Sequence, residues 1–88
     1  MTLKIETTAD DRVAILRLIG RVESEHVEAL RGHIRSQRVR VMLDLEEVTL
    51  VDVSVVRFFL ACEADGVELL NCPPYVQEWM GREQRREG

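Results

Sequence analysis

Hydrophobic and polar positions change period several times along this chain, and each change predicts an element. Residues 3–7 alternate, with Leu3, Ile5 and Thr7 on one side and Lys4 and Glu6 on the other, as in a half-buried strand. "TADDR" follows as a turn, with Asp10 and Asp11 suited to hairpin geometry. "VAILRLIG" (13–20) is apolar throughout except for Arg17, the pattern of a strand buried on both faces, and Gly20 ends it. A turn this short predicts an antiparallel hairpin.

From residue 23 the period becomes helical: Val27, Leu30 and Ile34 form one stripe in "ESEHVEALRGHIRSQ". Ser24 is the expected N-cap, Glu23 and Glu25 suit the positive helix start, and Arg31 and Arg35 suit its other end. Gly32 weakens the helix by up to about 1 kcal/mol relative to alanine, which suggests a close packing contact. "VRVMLDL" (39–45) predicts a third, central strand, after which "EEVTLV" (46–51) carries the chain over the sheet edge. Asp52 is a strong N-cap for a second helix. Val56, Phe59, Leu60 and the aliphatic part of Glu63 form its inner stripe, and Gly66 stands at the left-handed position that ends it. "VELLNC" is a short fourth strand. "PPYVQEWMGREQRREG" is a last helix opened by proline, with Val76, Trp79 and Met80 on its apolar side. Trp79 suits a core anchor or a contact for a second chain. The tail 81–88 has no apolar residue and is expected to fray.

The predicted order is β-β-α-β-α-β-α: an α/β fold with a small mixed four-stranded sheet. If strand order continues in one direction, right-handed crossovers place the first two helices on the same face, so that helices lie mainly on one side. With 88 residues, the expectation is one domain over 1–88 with its core at about 3–80. No internal repeat interrupts it.

Composition narrows the function classes. Twelve basic against sixteen acidic residues give a net charge of −4, which offers nucleic acid no electrostatic footprint and an anionic membrane no attraction. Apolar runs are too short to span or insert into a bilayer. "MTLKIETTADD" does not have the form of a signal peptide, and the expected location is the cytoplasm. Cys62 and Cys72 lack metal-ligand spacing and are expected to be reduced thiols. His26 and His33 share a helix face without converging acidic or thiol ligands, so no metal is expected. Phosphate-cradling glycine motifs and a serine elbow are absent, so neither a cofactor nor a catalytic residue is assigned, and enzymatic activity is not expected.

The stretch "VMLDLEEVTLVDVSVVRF" resembles the signature of STAS domains, the family of bacterial anti-sigma factor antagonists. "VAILRLIGRVESEHVEALR" is similar to that family's second strand, its glycine with an acidic-polar turn, and its first helix. The resemblance spans about residues 3–80 and includes the element order. In the family an Asp is followed by a Ser or Thr that a partner kinase phosphorylates. Here Asp52 is kept and Val53 takes the acceptor position. The next serine corresponds to Ser54, and the family's Gly-Leu pair becomes Val55-Val56. The helix is also shorter, as in a minimal version of the fold.

The resemblance implies a non-catalytic protein-interaction module in bacterial signalling, without the phosphorylation switch. Docking is expected through Thr49, Asp52, Val53, Ser54 and Arg57. Ser54 is the one substitute phosphorylation site, but it is rotated by about 100° from Val53 around the helix. Local hydrogen bonding is the plainer role for Ser54, and N-capping for Asp52. Arg57 is expected to face solvent. The implied partner is an anti-sigma factor kinase or a STAS-containing scaffold. The alternatives are an accessory role on an ABC-type transport ATPase and a homodimerising structural module.

Overall fold

A computed structural model describes residues 3–87, and the side chains of 3–86. Met1, Thr2 and Gly88, which belong to the expected 1–88 domain and its tail, lie outside the described residues. The strands are β1 (Leu3–Ala9), β2 (Val13–Val22), β3 (Arg40–Val51) and β4 (Glu68–Leu70). The helices are α1 (Val27–Arg35), preceded by a 3-10 turn over Ser24–His26, α2 (Val53–Ala64) and α3 (Pro74–Glu87). The sheet order is β1-β2-β3-β4, with β1 antiparallel to β2 and the other pairings parallel. The β-β-α-β-α-β-α order and mixed sheet agree with the pattern in the chain.

The hairpin turn is closed by Asp10, whose Oδ1 accepts from the Arg12 and Val13 amides at 2.8 and 2.9 Å. Those two bonds hold its carboxyl below the usual range. Strand order runs in one direction through both crossovers, so α1 and α2 cover the same face. Beneath them Leu16, Leu18, Leu43 and Leu45 are wholly buried, together with Leu30 of α1 and Val55, Val56 and Phe59 of α2. α3 packs on α2 through Val76 and Met80, with Trp79 half-buried against the core.

Several local expectations are corrected. β2 is buried on one face only: Val13, Ile15 and Ile19 are half-buried on the side that carries no helix. Gly20 does not end the strand. Its φ of 98° lies where the β2–β3 register shifts, a conformation a side chain would strain, and β2 continues to Val22. Residues 46–51 do not cross the sheet edge but belong to β3, and the register shifts give them a burial period of three: Leu45, Val48 and Val51. The first helix is a 3-10 turn plus α1, and the turn is capped by Glu23, not Ser24. There the Glu23 amide donates to His26 Nδ1 at 2.9 Å. Gly32 is exposed and a Cβ added there meets nothing within 4 Å, so it makes no close contact. The buried face of α2 is wider than one stripe, taking in Val55, Phe58 and Cys62, while Glu63 is exposed.

The polar C-terminal segment is helical as far as Glu87, and Glu83 is only 4% exposed. Its Oε1 accepts from Arg57 Nε at 3.2 Å, and Arg86 Nη1 stands 3.8 Å from Oε2. A charged contact, not an apolar one, fastens this part of α3. Among the described residues no helix is long and apolar enough to cross a membrane.

Candidate functional site

The β3–α2 junction is one residue long. Asp52 has extended backbone and begins α2, as its residue type suggests. Its Oδ1 accepts from the Val55 amide at 3.0 Å, and its carbonyl accepts from the Val56 amide at 3.0 Å. Its Oδ2 reaches across the fold to the Ser24 amide at 2.8 Å. One carboxylate thus ties the start of α2 to the 3-10 turn that opens the first helical segment. Both its oxygens are engaged by the protein's own amides, so Asp52 shapes this surface from within.

Val53 is half-buried, rather than open, at the first helical position, and Ser54 is exposed beside it. Arg57 is one turn further and more than half exposed, but its Nε is held by Glu83. It therefore reaches this surface already paired within the chain. Thr49 is exposed at the β3 irregularity, where Arg21 pairs with Leu50 after Gly20 pairs with Val48.

Between the helices a shallow groove is lined by Ser24, Glu28 and Arg31 on one side and Ser54, Arg57 and Phe58 on the other. The Arg31 guanidinium lies 5.5 Å from the centre of the Phe58 ring, a cation–π contact, and its Nε is 3.3 Å from Glu28. The fold therefore brings Val53, Ser54 and Arg57 to one end of α2. Arg31 and Phe58 join them in this groove but did not stand out in the sequence. Their signal is topological: only a parallel β2–β3 pairing with α1 and α2 on one face sets them side by side.

The described residues contain no cluster of three or more metal-ligating side chains. Both cysteines are free. Burial pushes the Cys62 thiol up to about 11, with the Asp65 carboxylate adding to the effect. Cys72 is raised in the same direction by burial and then by Glu63. Both thiols are shifted away from the thiolate form that acts as a nucleophile.

No protein-family model matches the sequence, and no curated protein matches it significantly. Solved structures do match. The anti-sigma factor antagonist SpoIIAA in its unphosphorylated form aligns with a TM-score of 0.68 and 22% identity, over 93% of this chain and 80% of that one. The phosphorylated form of the Bacillus cell fate determinant SpoIIAA aligns at 0.67 and 21%, over 92% and 82%. An anti-sigma factor antagonist STAS domain from Rhodobacter sphaeroides aligns at 0.60 and 20%, over 80% and 87%. At these identities the likeness is one of fold, and the fold of this chain is that of a STAS domain.

Proposed function

We propose that this protein is a non-catalytic protein-interaction module of bacterial signalling, acting as an anti-sigma factor antagonist does but without a phosphorylation switch. Its docking surface is the start of α2, with Val53, Ser54 and Arg57 at its centre, Thr49 at its border and Asp52 holding it in shape. The partner is an anti-sigma factor of the kinase type.

The observation that carries this reading is Val53, directly after the capping Asp52 in a fold shared with a protein solved in both phosphorylated and unphosphorylated forms. A phosphate at a helix start adds nearly two negative charges to a docking face. Valine has no hydroxyl to carry it, so the contact is constitutive and apolar.

The test is Val53→Asp. A carboxylate in the first turn suits the helix dipole, and thermal unfolding of the half-buried Val53→Asp variant separates an effect on folding from one on binding. Capture of an anti-sigma factor kinase by the wild-type chain, and its loss in the variant, is the expected result. Undiminished capture by the variant removes the docking surface from α2. Incubated with that kinase and ATP, the wild-type chain gains no phosphate, whereas stoichiometric labelling of Ser54 refutes the constitutive reading.

A further inference from the structure

Among the described residues, three helices serve one face of the sheet and none covers the other. Cross-strand partners share a face, so the pairing register identifies what this bare face carries. Ile15 lies beside Met42, Arg17 beside Asp44, and Arg21 beside Leu50. The apolar side chains here are Val13, Ile15, Ile19, Met42, Leu70 and Leu50. The first five are half-buried and Leu50 is 52% exposed. Among the described residues, none of the six packs against the core.

Three ion pairs lie within this face. Lys4 pairs with Glu6, Arg17 with Glu47, and Arg40 with Glu68. In a chain of net charge −4 this face is close to neutral, so it selects neither a strongly basic nor a strongly acidic partner. Two polar atoms at its centre make no hydrogen bond within the described residues. Arg17 Nε is buried without a hydrogen-bond partner. Asp44 receives its bonds, from the Glu46 amide and Asn71 Nδ2, on Oδ1, which leaves Oδ2.

We propose that a second copy of this chain covers this face, with the two sheets packed face to face about a two-fold axis that runs along the strands between β2 and β3. That operation sets each β2 residue over the β3 residue that neighbours it in its own sheet. Ile15 meets Met42 of the other copy, Arg17 meets Asp44, and both contacts occur twice. The exposed part of the Arg17 guanidinium and the Asp44 carboxylate are thereby set together, and the apolar strip closes on itself. Sheets stack about 10 Å apart with strands within about 30° of each other, which this axis permits. Three strand spacings by six or seven residues is about 15 by 20 Å of sheet, about 600 Å² over the two copies, which is below the ~1,000 Å² of a stable specific interface. The dimer is therefore a weak one that exchanges with monomer. It leaves the start of α2, on the helical side, free for another partner.

Sedimentation equilibrium from micromolar to submillimolar concentration tests this. The wild-type chain shows a reversible monomer–dimer equilibrium. Arg17→Asp and Asp44→Arg each abolish it, because like charges then face each other across the axis. An equimolar mixture of the two recovers dimers containing one of each, which a merely structural role for these residues does not produce. Each single swap also sets like charges together within one sheet, so thermal unfolding is followed alongside. The double swap in one chain restores the opposite charges at 17 and 44, within the sheet and across the axis, but not the Arg17–Glu47 pair or the bonds on Asp44 Oδ1, and it dimerises where it folds. A wild-type chain that stays monomeric throughout, a dimer indifferent to the single swaps, or a double swap that folds but fails to dimerise overturns the proposal.

Discussion

Both faces of β2 and β3 carry large apolar side chains, and those side chains differ in fate. Leu16, Leu18 and Leu43 are wholly buried, while Ile15, Ile19 and Met42, their neighbours in the same strands, stay half-exposed. Nothing intrinsic to isoleucine or methionine separates them from leucine. The difference is that two right-handed crossovers deposit α1 and α2 on one side and α3 follows α2. An apolar run along a strand therefore reports that both faces can be buried, and the crossovers decide which face this chain buries for itself.

Truncating adjacent residues of β3 puts that contrast to the strongest test. Leu43→Ala empties a fully buried position and lowers stability by about 2–5 kcal/mol, read as a shifted denaturant midpoint. Met42→Ala, one residue away on the bare face, costs the monomer less than about 1.5 kcal/mol. Equal costs at dilute concentration break the comparison.

The clamp that holds the helical cover comes next. Asp52→Ala frees the Val55 and Ser24 amides together and costs about 2 kcal/mol. Asp52→Asn keeps acceptor capacity and recovers part of it, so an asparagine variant as unstable as the alanine one argues against capping as the cause.

Cys62, beneath the cover, adds a pH signature. Its folded pKa is raised to about 11 from an ordinary 9.0. The fold therefore favours the neutral thiol: this contribution is whole below 9.0 and is lost as pH rises towards 11. Wild type loses stability over that window relative to Cys62→Ala, measured by urea unfolding at each pH. A constant difference across the window contradicts the buried thiol. Asp10 behaves in the opposite sense: its pKa is lowered from 3.8, so its turn supports the hairpin at neutral pH and weakens as pH falls below that value.

The smallest effect lies farthest from the core. Gly32→Ala on the open side of α1 stabilises the protein by up to about 1 kcal/mol, because a methyl group there meets nothing and the helix gains propensity. A destabilised variant points to a neighbour on that side of α1.

Element identity and order were legible because they depend on local chemistry. A period-two run, a proline, an aspartate before an apolar helix and a glycine after it act on residues within a few positions of each other. The Asp52 cap and the Gly66 ending are of this kind. Missed features depend on distant residues. The end of β3 resembles a connection because its burial repeats every three residues, a rhythm imposed by register shifts against β2. The C-terminal segment resembles a frayed tail because nothing local shows that Arg57, 26 residues earlier, receives Glu83.

The candidate site divides along the same line. Asp52, Val53 and Ser54 are consecutive, so their place at a helix start follows from the sequence. Arg31 and Phe58 meet across the groove, Asp52 binds the Ser24 amide, and Arg17 lies beside Asp44, all through the fold. Local propensity needs only neighbouring residues and is written along the chain. Which charge meets which, and which apolar face goes uncovered, depends on strand register and crossover hand, and these are decided only when the whole chain packs.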